Sequence, residues 1–105
     1  MRGDVIVIAF PYSENPTKSK RRPALILADL PGDDIICAAI TSSGKDPAGI
    51  SLSNTDFEQG GIHVESTIRA SKLVTLTKDQ IEKVAGRVKE EKRMQVVKKI
   101  YDLMT

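Results

Sequence analysis

Two side chains in this 105-residue chain have the chemistry to grip a phosphate. Arg22 stands at the head of the apolar run Pro23-Ala24-Leu25-Ile26-Leu27, and Thr41 closes a second run, Ala38-Ala39-Ile40. A guanidinium is a planar fork of donors that stays charged at any biological pH and matches phosphate oxygens. A threonine hydroxyl adds a short hydrogen bond from a stiff β-branched position. Between the two runs, Leu30-Pro31-Gly32-Asp33-Asp34 is turn chemistry, so they predict an antiparallel hairpin. In such a hairpin the start of one strand lies beside the end of the other, which brings Arg22 and Thr41 to the same end. Arg69, at a bend or bulge over residues 69–71 between two further strand-like runs, is a second candidate cation. A lone threonine at a strand end more often bonds its local backbone, and that alternative stands beside the phosphate reading.

Other chemistries fit the residues less well. His63 is the single histidine, so a two-histidine ribonuclease mechanism within one subunit is excluded, and one Cys with one His cannot supply a tetrahedral zinc set. The carboxylate pairs Asp33-Asp34, Asp56/Glu58 and Glu90-Glu91 fall in a turn, a loop and a helix start, without the convergence a magnesium nuclease needs. No phosphate-cradling glycine loop or serine elbow occurs. What remains is metal-free cleavage of RNA, in which the ribose 2′-hydroxyl attacks its own phosphate and the protein stabilises the charge that develops. The RNA would be single-stranded, with a backbone able to bend into line.

The charge distribution agrees. The net charge is only +2, yet residues 17–23 hold Lys18, Lys20, Arg21 and Arg22 with no acid, whereas residues 28–66 hold seven acids against Lys45 alone. A local cationic patch beside a polar loop favours phosphates, although from charge alone a solvated loop is an equal explanation.

The elements that must position these groups are mostly strands. A 105-residue chain with 40% hydrophobic residues and no Trp makes one domain, residues 1–105, with a modest aliphatic core. Residues 5–10 are continuously apolar and read as a strand buried on both faces; residues 11–22 read as a polar, basic loop; strands follow at 23–28 and 35–41. A weak strand at 50–52 lies between loops at 44–54 and 56–61, and strands at 62–68 and 72–76 flank the bend at Arg69. Thr77 and Gln80 fit a capping box and predict a short helix to residue 85, stopped by Gly86. A second helix, about 89–104, carries Met94, Val97, Tyr101 and Met104 at helical spacing, widened by Ile100 and Leu103, with Lys92, Arg93, Lys98 and Lys99 on the other side. Cys37 lies in an apolar run and reads as a small buried hydrophobe. No run approaches the roughly 18 apolar residues of a membrane span and no leader is evident, so the expected location is the cytoplasm.

In order and spacing, these residues resemble the PemK/MazF family, the ribonuclease toxins of bacterial toxin–antitoxin pairs. The resemblance rests on Gly3-Asp4-Val5-Ile6-Val7 with Phe10-Pro11, Lys20-Arg21-Arg22-Pro23-Ala24-Leu25, Ala38-Ala39-Ile40-Thr41-Ser42, Ile68-Arg69, Lys72-Leu73-Val74-Thr75-Leu76 and Gly86-Arg87-Val88. It implies a mainly β, α+β fold: a small SH3-like β-barrel with a short helix and a C-terminal amphipathic helix. It also implies a homodimer, a groove for single-stranded RNA, sequence-specific cleavage with no cofactor or metal, and a cognate antitoxin, expected to be acidic and partly disordered.

By the same resemblance, Arg22, Thr41 and Arg69 are the catalytic set. Ser19, Lys20, Arg21 and Ser42 would contact RNA, and a loop at residues 12–20 would cover it. The aspartate that the plasmid-borne branch carries two positions after this arginine is Ser71 here, which leaves the proton-transfer role unassigned, with Glu14 from the loop as a stand-in. Val74 replaces an arginine common in the family. A non-catalytic nucleic-acid-binding barrel and a gyrase-directed toxin of the same fold are the alternatives.

Overall fold

The computed structural model describes residues 1–12, 15–42 and 46–105, and leaves the side chains of residues 10–20 undescribed. Seven strands, β1 (Asp4–Tyr12), β2 (Asn15–Asp29), β3 (Asp34–Thr41), β4 (Gly49–Leu52), β5 (Phe57–Gly60), β6 (Ser66–Thr77) and β7 (Ile81–Val88), form one antiparallel sheet in the order β4-β6-β3-β2-β1-β7-β5. The helix α1 (Glu90–Met104) follows, and single 3-10 turns occur at Asn54–Asp56 and Lys78–Gln80. The sheet curls into a half-barrel, the small mainly β fold that the strand pattern predicts.

Alternation along β1 explains why its apolar run is unbroken. Val5 enters a core with Leu25, Ile40, Leu52, Ile68 and Val96, whereas Ile6 and Ile8 enter a second core with Ala24, Ile26, Ile35 and Cys37 on the opposite face. Where the two cores lie, both faces of the central strands are therefore buried. Burial pushes the Cys37 thiol up to about 11, which leaves it protonated and inert at neutral pH. A bulge in β6 serves the two cores: Ala38 pairs with Leu73 but Ala39 pairs with Arg69, so Ile68 and Ala70 pack in the first core and Val74 and Leu76 against the second.

Several local expectations are overturned. The cap at Thr77 forms, with the Thr77 N–H donating to Gln80 Oε1 at 2.9 Å, but it opens only one 3-10 turn before residues 81–88 become a strand. Pairing to β1 on one side and β5 on the other satisfies that backbone and outweighs the local helical signal. Gly86 is thus no helix stop. It sits opposite Gly60 in the β5–β7 ladder, where a Cβ would run into the Gln59 carbonyl. Residues 57–60, expected as loop, are that edge strand, and β6 begins at Ser66 instead of residue 62. Most of the expected loop at 11–22 is hairpin, since β1 runs to Tyr12 and β2 starts at Asn15, pairing Phe10 with Lys20 and Pro11 with Ser19.

The helix turns a different face inward than its apolar spacing predicts. Val96 is buried, with Val97 and Ile100 partly so, but Lys92 and Arg93 are buried beside them, while Met94, Tyr101, Leu103 and Met104 are exposed at 46–75%. Each buried cation has work on the sheet. Lys92 Nζ donates to the Ser51 carbonyl at 3.1 Å and lies 3.4 Å from Asp56 Oδ1, and Arg93 Nη1 donates to the Leu27 carbonyl at 3.0 Å. Long aliphatic stems let such residues cover a core while their heads reach polar partners.

Candidate active site

The expected hairpin is present, and its register decides what can meet. Ala24 pairs with Ala39 and Leu25 with Ala38, and extending that register by two residues would set Arg22 across from Thr41. On the other side of β3, Thr41 pairs with Thr67 and Ala39 with Arg69. Residues directly opposite in a ladder share a face. Arg22, Thr41, Thr67 and Arg69 therefore occupy one face at one end of three adjacent strands, β2, β3 and β6. Arg22, Thr41 and Arg69 are all half-buried, anchored by the core yet open at the rim.

Arg69 is held by an acid from a different element. Its Nε donates to Asp46 Oδ2 at 2.7 Å, Asp46 Oδ1 accepts the Ala48 N–H at 2.9 Å, and the Asp46 carbonyl accepts the Gly49 N–H at 2.8 Å. The hydrogen bond from Arg69, helped by the Ala48 amide, holds the Asp46 carboxyl below the usual carboxylate range. No reading of isolated pairs finds this partner, because it lies 23 residues away. A signal does exist, since Asp46-Pro47-Ala48-Gly49 is the residue preference of a type I turn.

Arg21 and Ser42 alternate to the opposite face. They line an open hollow of about 700 Å³ whose floor is Val5, Val7, Pro23 and Ala85 and whose rim includes His63 and Lys83. Arg21 Nε also donates to Glu82 at 2.9 Å. The expected site residues thus divide between two faces of the hairpin end. Glu14 and the side chains of Ser19 and Lys20 lie outside the described residues, so the expectations for them and for the covering loop at 12–20 gain no geometry.

Residues 1–104 match the protein family described as PemK-like, MazF-like toxin of type II toxin-antitoxin system. The chain belongs to that family. Solved structures agree on the fold of this PemK/MazF-like chain. An endoribonuclease in complex with its cognate antitoxin, from Mycobacterial species, is 16% identical with a TM-score of 0.74 over 99% of this chain and 93% of that one. The MazE-MazF complex from Deinococcus radiodurans is 19% identical at TM-score 0.74, covering 97% and 92%. Mycobacterium tuberculosis toxin MazF-mt6 is 14% identical at TM-score 0.68, covering 94% and 95%. Among curated proteins none matches. No helix among the described residues of this PemK/MazF-like chain is long and apolar enough to cross a membrane.

Proposed function

We propose that this PemK/MazF-like toxin is a metal-independent endoribonuclease that cleaves single-stranded RNA at a short sequence, with Arg22, Thr41 and Arg69 around the scissile phosphate. What supports this reading is the β2–β3 register, which on extension from Ala24 and Ala39 sets Arg22 beside Thr41, with Arg69 opposite Ala39 on the neighbouring strand β6. In the reaction the 2′-oxygen bonds to phosphorus as the bond to the 5′-oxygen breaks, giving a 2′,3′-cyclic phosphate and a 5′-hydroxyl. One proton leaves the 2′-hydroxyl and another reaches the departing oxygen. Two guanidinium groups and a hydroxyl around the phosphorane stabilise its added charge, and each such donor is worth roughly 3 kcal/mol in the transition state. The hollow beside Arg21 and Ser42 offers an apolar floor and donors to nucleotides flanking the cut.

A cognate antitoxin would neutralise the protein; one structural neighbour is an endoribonuclease in complex with its cognate antitoxin. The cationic rim and apolar floor of the hollow suit an acidic segment with apolar anchors, whose charge would speed association. The exposed apolar residues of α1 support a homodimer. A cytoplasmic toxin would meet both RNA and antitoxin there.

Incubation of the purified protein with a long single-stranded RNA in EDTA, followed by sequencing of the fragment ends, tests the reading. Discrete cuts bearing cyclic phosphates support it. Intact RNA across a range of pH and salt, or cutting that requires added metal, overturns it.

A further inference from the structure

Arg69 has a task at this site that a surface arginine performs poorly, because a free side chain loses rotamer entropy when a substrate fixes it. The structure around it is built to remove that cost. Asp46 sits on a tight turn whose three hydrogen bonds, Arg69 Nε to Oδ2, Ala48 N–H to Oδ1 and Gly49 N–H to the Asp46 carbonyl, fix the carboxylate and the backbone that carries it. The turn is fastened to the strand bearing Arg69. Ala70 N–H donates to the Ala48 carbonyl at 3.3 Å, and Gly49 pairs with Arg69 itself in the β4–β6 ladder.

Gly49 shows how close this approach is. A Cβ there would meet Thr67 Cγ2 at 2.5 Å and the Asp46 carbonyl oxygen at 2.9 Å, so only glycine lets the turn lie flat on β6. The Asp46 side chain is only 9% exposed and that of Arg69 38%, an asymmetry that suits a sheltered anchor holding a group that reaches solvent.

We infer that Asp46 is the positioning residue for Arg69: its carboxylate binds Nε and so aims the terminal face of the guanidinium at the phosphate held by Arg22 and Thr41. This rests on the ribonuclease reading of that site. It also gives Arg69 a carboxylate partner in a chain that has Ser71 where the family's plasmid-borne branch has an aspartate. The acid comes from the β3–β4 connection instead of from β6. With its carboxyl held in the ionised form by Arg69, Asp46 acts as a fixed anion and not as a proton donor.

The test compares wild type, Asp46→Asn, Asp46→Glu, Arg69→Ala and the Asp46→Asn/Arg69→Ala double variant. Single-turnover cleavage of a long single-stranded RNA is measured beside the Arg69 Nε–H signal in proton–nitrogen NMR spectra. Asp46→Asn should slow cleavage roughly ten- to a hundredfold, the usual scale for lost alignment, with the loss in the rate constant more than in RNA binding. It should cost nothing further on Arg69→Ala. Asp46→Glu keeps the charge but displaces it by a methylene, and should fall between wild type and Asp46→Asn with its melting temperature preserved.

Wild-type cleavage by Asp46→Asn, or losses that multiply in the double variant, would overturn the inference and leave the ribonuclease reading intact. RNA left whole by wild type would overturn that reading instead. The clamp is then judged by NMR on adding a single-stranded oligonucleotide. A shift of the Arg69 Nε–H signal in wild type that vanishes in Asp46→Asn supports it, and identical signals in the two proteins reject it.

Discussion

Arg93 of α1 donates its Nη1 to the carbonyl of Leu27, the residue that the β2–β3 register skips, at 3.0 Å. The backbone at the bulge, where Leu27 has no β3 partner in the register, thus takes its hydrogen bond from the helix. One guanidinium ties α1 to the strand that carries Arg22, and its other nitrogens grip Glu90 at 2.7 and 2.8 Å.

Arg93→Leu should therefore destabilise the fold by about 1–3 kcal/mol, the cost of leaving a buried carbonyl without a partner. Urea unfolding followed by circular dichroism measures it. An unchanged midpoint would show that the helix is held by Val96 and its neighbours alone.

The same fork holds the Glu90 carboxyl below the usual range, as Arg69 does for Asp46. A carboxyl whose pKa is lowered by folding contributes stability that is present above its unfolded value and is lost as pH falls through its folded value. Stability should be full at neutral pH, begin to decline as pH enters the ordinary carboxylate range, and go on falling below it to the lowered folded values. Glu90→Gln and Asp46→Asn should each be less stable at pH 7 and show a shallower acid decline. Urea midpoints at stepped pH values decide this: curves parallel to wild type would remove both groups from the acid transition. Both pairs reach solvent, so the difference should shrink in high salt.

Gly60 stands at φ 66° opposite Gly86, and a Cβ on it would run into the Ala85 carbonyl. Gly60→Ala adds left-handed strain to a backbone collision, a combination expected to cost upwards of about 1–3 kcal/mol. The melting temperature should fall by several degrees; a change within error would mean that β5 separates from β7 at little cost.

Much of this was legible in the residues, where local chemistry and tertiary demand agree. The hairpin of β2 and β3 announced itself through two apolar runs and a Pro-Gly-Asp-Asp turn, and the bend at Arg69 through a polar break between runs. Where they compete, pattern misled. Thr77 and Gln80 make a true cap, but the open edge of β1 recruits residues 81–88 as a strand. The spacing of Met94, Val97, Tyr101 and Met104 describes a helical stripe, yet the Ser51 and Leu27 carbonyls draw Lys92 and Arg93 inward and leave most of that stripe outside. The Asp46–Arg69 pair is set by sheet topology and not by spacing along the chain, so no local pattern encodes it.

Arg22 and Thr41 are proposed to act on one phosphate. A double-mutant cycle on single-turnover RNA cleavage tests it most directly, using Arg22→Ala, Thr41→Ala and the pair together in EDTA. Two groups serving the same transition state should each cost on the order of a hundredfold or more alone, and the pair should cost far less than the product. Cleavage by Arg22→Ala at the wild-type rate, or losses that simply multiply, would show that the two side chains do not share a phosphate.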